Sequence, residues 1–279
     1  MYEKHFGLLA RPFSLTPDPR FLYRARQHER ALTMLQYGLT AHAPVLLLSG
    51  EVGAGKTLLV NHLLEVVAHQ VEVGLLNQTH PRQETVLDRV VAAFGLEPQQ
   101  SSDLSYQREI ADACRRAAGQ GRRLLLVVDE AQNLQEPVLE ELRLLSNLND
   151  GGPMTLQIML VGQPEVRDML ARPGLGQLAQ RVSADYHLRA LDLTEVAGYV
   201  SHRLAVAGAV TELFDASAMA LVHQASGGIP RLVNQLCDYA LVYAFSESLP
   251  VVDATVVHQV LADRSEFGAL PLFNRPLLS

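Results

Sequence analysis

The segment Gly50-Glu51-Val52-Gly53-Ala54-Gly55-Lys56-Thr57 constrains this chain more than any other. It follows residues 45–49 (VLLLS), a short unbroken apolar run of the kind a buried parallel strand carries. It leads into a helical pattern through Leu58, Leu59, Leu63, Leu64 and Val67. Strand, glycine-rich turn and helix in that order make a phosphate-binding loop. The glycines let consecutive backbone N–H groups curl around phosphate, and the new helix points its positive end at the same charge. Lys56 is expected to reach the β- and γ-phosphates of a nucleotide, and Thr57 to offer its hydroxyl to Mg²⁺. A glycine-rich turn without a ligand is the plainer alternative, and it leaves both the complete motif and its setting unexplained.

A second group of candidates ends the strongest apolar run, LLLVV at 124–128, which continues into Asp129-Glu130-Ala131-Gln132. Asp129 is expected to hold Mg²⁺ through water, the hard oxygen ligation this ion prefers. Glu130, one residue on, suits the polarisation of an attacking water. Two acids at a strand end also suit the start of the next helix, but a phosphate loop upstream favours hydrolysis. Asn77 ends an earlier strand, where it either hydrogen-bonds Glu130 or is an ordinary strand-end residue. Gln163, in LVGQPE, is placed to orient the water or sense the γ-phosphate. Arg181 in LAQRV and Arg231 in GGIPR are candidates to bring positive charge to a transferring phosphoryl group; by residue type alone, each is a surface arginine.

Organisation along the chain supports an α/β fold. Strands are predicted at 45–49, 71–77, 124–128, 156–161 and 185–188. Helices are predicted at about 26–39, 82–94, 106–118 and 134–148, and this alternation implies a parallel sheet covered by helices on both faces. Strand order is not legible from the pattern. Beyond Leu191 only helices are predicted, at about 193–207, 215–226, 231–246 and 253–263. The boundaries drawn are therefore 1–190 for the nucleotide-binding α/β domain, 191–266 for a small helical lid domain and 267–279 for a tail.

Composition narrows the function. The chain has 279 residues and a formal charge of −7, from 23 basic and 30 acidic side chains, which argues against wholesale wrapping of nucleic acid. Cys114 and Cys237 each lie in an apolar helical pattern and read as buried thiols of a reducing compartment. MYEKHFGLLARPF lacks the pattern of a secretory signal, and no apolar run reaches membrane-spanning length. The ten histidines include no HExxH, and no GxSxG supports a serine hydrolase.

Taken together, the motifs resemble those of AAA+ ATPases. More closely, the chain is similar to the secretion-pathway protein A family and to its relatives associated with exosortase/PEP-CTERM and exopolysaccharide gene clusters. The residues that carry this likeness are MYEKHFGL, PFSLTPDPRFLY, GEVGAGKT, VGLLNQTH, VVDEAQNL, LEELRLLSNLN, LVGQPEVRDML, LAQRVSADYHL and GGIPRLVNQLCDYALVYAF. The resemblance implies that Gly50 to Thr57, with Leu58, form the Walker A motif and that Asp129 and Glu130 form Walker B. It puts Gln163 at the sensor-1 position, where many relatives carry Asn or Thr, and Arg231 at sensor 2. Arg181 matches an arginine finger given to a neighbouring subunit, with Arg172 the second candidate. Phe21 and Tyr23 match an aromatic stretch near adenine.

What the resemblance implies about function is ATP hydrolysis with Mg²⁺, by a homo-oligomer formed with ATP, in assembly or regulation of an envelope secretion or exopolysaccharide export system. Larger members of that family resemble an ATPase followed by a membrane span and a periplasmic peptidoglycan-binding part. This chain reads as ending after the lid, so the expectation is a cytoplasmic helper, peripheral at the inner membrane through a partner and not inserted in it. Two other readings stay open: a AAA+ helper acting on nucleic acid, as in transposition or helicase loading, and a nucleotide-binding scaffold with negligible turnover.

Overall fold

The computed structural model describes residues 1–16, 18–76, 85–98, 100, 102–146 and 156–267. In chain order its main elements are α1 (Arg26–Thr40), β1 (Val45–Gly50), α2 (Lys56–Val67), β2 (Val71–Leu76), α3 (Val86–Ala93), α4 (Asp103–Gly119) and β3 (Arg123–Val128). There follow α5 (Glu136–Ser146), β4 (Leu156–Gly162), α6 (Glu165–Leu170), α7 (Gly176–Ala179) and β5 (Val182–Leu188). Four helices complete the described chain: α8 (Leu193–Val206), α9 (Ala216–Ser226), α10 (Pro230–Ser246) and α11 (Ala254–Phe267).

These elements form two compact units, one of Met1–Gln27, Glu51–Leu58 and Arg189–Ser279, the other of His28–Gly50 and Leu59–Leu188. The division differs from the 1–190 and 191–266 boundaries drawn from sequence. The first 27 residues and the phosphate loop group with the helices beyond Arg189.

The sheet unit contains five strands in the order β2-β3-β4-β1-β5, all paired in parallel. Every residue of β1 and β4 is buried, as is all of β3 after Arg123. Alternate residues of these strands point to opposite faces, so strands covered on both are mainly apolar, with Ser49 of β1 and Gln157 of β4 the buried polar side chains among them. One face, with Val45, Leu47, Leu124, Leu126, Ile158 and Leu160, packs into a core shared with α3, α4 and α5. The other is covered in part by α1, whose Gly38 comes so close to Leu46 and Ala184 that a Cβ there would collide with the Ala184 side chain. The edge strands β2 and β5 carry polar positions. That explains why only the last four residues of β5 were legible: its first half, Val182-Ser183-Ala184, has no unbroken apolar run.

Other element ends are corrected by local capping. The helix predicted from residue 82 begins at Val86, because Thr85 and Asp88 close a reciprocal capping box. The helix predicted from 106 begins at Asp103, with Ser102 accepting from the Ser105 N–H. The helix predicted over 134–148 begins at Glu136, and the last helix runs on to Phe267. Asn77 and the tail from residue 268 lie outside the described residues.

The helical unit is organised around its own core. Val196, Val200 and Leu204 of α8, Val222 of α9, Leu236, Cys237 and Leu241 of α10, and Val257 and Val260 of α11 meet there. The aromatic N-terminal segment joins them through Tyr2, Phe6, Phe13 and Phe21.

Candidate functional site

β1 delivers the chain to the phosphate loop at Gly50, and α2 receives it at Lys56. Gly53 and Gly55 have φ of +83° and +97°, a left-handed backbone that favours glycine. At Gly53 a side chain is also excluded by space, since its Cβ would collide with Cβ of Arg231. The Arg231 N–H, in the first turn of α10, donates to the Gly53 carbonyl at 3.2 Å. The GGIPR segment therefore rests on the loop itself, and Pro230 starts the helix where its missing N–H leaves nothing unpaired. Lys56 is buried, and its Nζ donates to the Glu51 carbonyl at 3.1 Å. Thr57 is exposed on the first turn of α2.

In the sheet unit, β3 pairs Val128 with Leu160 of β4, and Leu160 pairs with Leu47 of β1. The residues that follow β3 and β4 thus share the carboxyl edge at which β1 gives way to the phosphate loop. Asp129 Oδ1 accepts the Glu130 N–H at 2.9 Å. Glu130 itself is left-handed, with φ 53° and ψ 40°, a conformation uncommon for a residue with a side chain. Its Oε2 accepts from Gln132 Nε2 at 2.5 Å and from Gln163 Nε2 at 3.4 Å. The backbone N–H of Gln163 in turn donates to Gln132 Oε1 at 3.0 Å. The structure brings Gln163 to Glu130 and adds a residue that sequence reasoning missed. Gln132 stands in the DEAQ motif, but only the tight turn after β3 shows that it folds back on the glutamate.

Arg167 of α6 occupies the same edge: its Nε donates to Ser49 Oγ at 2.7 Å and its Nη2 to Asp185 Oδ2 at 2.6 Å. Ser49 is fully buried and 3.0 Å from His187 Nδ1. A hydroxyl enclosed in this way serves the sheet and is no nucleophile.

Residues 39–170 match a family described as "AAA domain". Over 247 residues the chain is 41% identical to General secretion pathway protein A of Aeromonas hydrophila, covering 88% of this chain and 45% of that protein. It spans less than half the length of that curated relative. Among solved structures, it superposes on Aeropyrum pernix ORC2 in its ADPNP–ADP complexes with a TM-score of 0.65 at 18% identity, over 93% of this chain and 74% of the other. Cdc6p from Pyrobaculum aerophilum gives 0.63 at 16% identity, over 86% and 67%. The fold is that of the AAA+ P-loop NTPases. The chain is related to General secretion pathway protein A, while the distant structures speak for fold alone.

The AAA+ fold implies ATP and Mg²⁺, and the donor set can be tested against that. Among the described residues no cluster of three or more His, Cys, Asp or Glu is arranged to hold a metal. Mg²⁺ does not need such a cage; it is typically held by one or two carboxylates together with substrate phosphates and water. A hydroxyl at Thr57 and a carboxylate at Asp129 are hard oxygen groups of that kind, and the left-handed glycines of the loop suit a phosphate. In chemical type, these residues suit the pair.

The remaining AAA+ candidates are placed less openly. Arg181 Nη1 donates to the Ser146 carbonyl at the end of α5, at 3.1 Å, where the helix dipole favours a cation. Arg172 is exposed. Phe21 is buried in the helical core with the Arg203 guanidinium 4.8 Å over its ring. Tyr23 packs edge-on against Tyr199 and beside His202. Arg203 was not singled out in the sequence because its apolar neighbours hide it in an ordinary helix. It is buried, donating to the carbonyls of Pro12 and Ser14 and to the Tyr199 hydroxyl. No helix among the described residues is long and apolar enough to cross a membrane.

Proposed function

We propose that the protein is a Mg²⁺-dependent ATP hydrolase. The observation that carries this reading is Glu130, held in a left-handed turn at the carboxyl edge of the sheet by two glutamine side chains. The relation to General secretion pathway protein A supports it. In this reading the loop from Gly50 to Leu58 binds the phosphates, and Lys56 exchanges the Glu51 carbonyl for a phosphate oxygen. Thr57 and Asp129 hold Mg²⁺, which supplies charge neutralisation on the phosphates when bound.

Glu130 accepts a proton from water as its oxygen bonds to the γ-phosphorus. The bond from that phosphorus to the bridging oxygen breaks, its electron pair leaves with ADP, and the proton passes on to solvent. Gln163 orients the water. Arg231, set on the loop through Gly53, reports the state of the γ-phosphate to the helical lid at 191–266, and Tyr23 lines the adenine with Phe21 behind it. Arg181, released from the Ser146 carbonyl, serves the site of a neighbouring subunit in an assembly formed with ATP.

The physiological role we assign is to drive or regulate assembly of an envelope secretion or exopolysaccharide export system, from the cytoplasm and through a partner at the inner membrane. The exosortase-associated branch is favoured by VGLLNQTH and DYALVYAF in the sequence. Action on nucleic acid is the lesser reading; the charge of −7 gives it no support.

ATP turnover per subunit, measured across protein concentration with light scattering for assembly, tests the proposal. Turnover is expected to rise as subunits associate. Glu130→Gln should bind ATP and hydrolyse it poorly, and Arg181→Ala should lose the rise with concentration. Unchanged turnover in Glu130→Gln would sink the role given to Glu130.

A further inference from the structure

Gln132 occupies a position that its own chemistry makes informative. A side-chain amide has one accepting end and one donating end, and its orientation follows from the groups it meets. Here one neighbour is the backbone N–H of Gln163, which can only donate, so Oε1 must face it at 3.0 Å. Nε2 is thereby turned toward Glu130, where it donates to Oε2 at 2.5 Å. The polarity of the bridge is set by the end of β4, and the donor reaches a carboxylate, where hydrogen bonds are strongest.

Two further features serve the same contact. Gly162, the last residue of β4, lies so close that a Cβ there would be 2.8 Å from Gln132 Oε1 and 3.3 Å from its backbone nitrogen. A side chain at that position would push the amide away. The left-handed backbone of Glu130 folds the chain so that residues two apart can meet, at a cost in local strain that surrounding contacts must offset.

We infer that Gln132 is the positioning residue for Glu130, linking the carboxyl end of β4 to the glutamate and fixing where its carboxylate stands for hydrolysis. The inference rests on the assignment of Glu130 as the group that polarises water. Gln132 does not touch substrate in this scheme. It acts through Glu130, so displacement of Gln163 by a nucleotide is transmitted to the glutamate by way of the amide bridge.

The test is a double-substitution cycle on the full chain, reading kcat, KM, affinity for a fluorescent ATP analogue, and the melting temperature. Gln132→Met keeps the volume and removes both hydrogen bonds. It is expected to lower kcat on the order of ten-fold, the scale of a lost hydrogen bond to a charged group. Nucleotide affinity and melting temperature should stay near wild type. In a Glu130→Gln background the same substitution should change the residual rate little, because both act at one carboxylate. Gly162→Ala should reproduce the kcat loss while leaving both glutamines in place.

Retention of kcat by Gln132→Met, or an equal further loss in the Glu130→Gln background, would overturn the inference. So would a loss of nucleotide affinity or melting temperature that accounts for the fall in rate. Normal turnover in Glu130→Gln removes the hydrolytic assignment itself. Impaired Glu130→Gln beside a normal Gln132→Met removes only the role of Gln132.

Discussion

Arg203 carries a charge into the helical core, and its five N–H donors must be met there for the burial to be tolerated. Two backbone carbonyls, the Tyr199 hydroxyl and the face of Phe21 supply what a carboxylate often would. Tyr199 passes the chain of bonds to Asn234 on α10 at 2.8 Å. The arginine therefore fastens residues 12–14 to α8. Arg203→Met retains the apolar stem but leaves buried acceptors unpaired, and should destabilise the helical unit by about 3 kcal/mol. Chemical denaturation would show it, with Arg203→Lys recovering only part because a single ammonium cannot span the same partners. No motif announced this residue. Lys56, Asp129 and Glu130, by contrast, stand out in the sequence as candidates because the chemistry proposed for them demands fixed spacing from a strand end. Gln132 and Arg203 depend on which backbone groups the fold brings near them, and that is not written in local sequence.

Among the elements, α9 shows how a helix start is tied to pH. Asp215 precedes it, accepting from the Ser217 hydroxyl at 2.6 Å and the Ala218 N–H at 2.7 Å. These bonds, the hydroxyl first, hold its carboxyl below the ordinary value of 3.8. A carboxylate whose acidity is raised by folding favours the fold above its ordinary value, and that contribution is lost as pH falls through the lower, folded value. Asp215→Ala should therefore cost on the order of 1 kcal/mol at neutral pH. The gap from wild type should narrow in thermal melts taken progressively below pH 4. The elements differ in how openly the sequence declares them. β1, β3 and β4 are buried on both faces and read as apolar runs, whereas β5 at the edge mixes polar residues and hides its first half. Strand order stayed hidden because each parallel pairing joins distant segments through connections that no short window contains.

At the scale of the whole molecule, the two cysteines fall in different units and make each one separately observable. Burial pushes the Cys114 thiol, in the sheet unit, up to about 11, and raises that of Cys237, in the helical unit, still further from its ordinary value. Neither should react with a thiol reagent at pH 8 until its own surroundings open. Single-cysteine variants labelled along a denaturant series should reveal which unit opens first; rapid native-state labelling of either would contradict its enclosure. The division into units also shows a limit of linear reading, since a boundary near residue 190 marks the end of alternating strands but not the company that the first 27 residues keep. The place of β1 in the sheet bears finally on how the protein is made. Its Ser49 meets His187, 138 residues downstream, and its other neighbour, β4, is also translated long after it. At bacterial and eukaryotic synthesis rates, this apolar ribbon waits on the order of ten seconds outside the ribosome before either side can be covered. Nascent chains halted before Leu188 should consequently be the forms most dependent on chaperones.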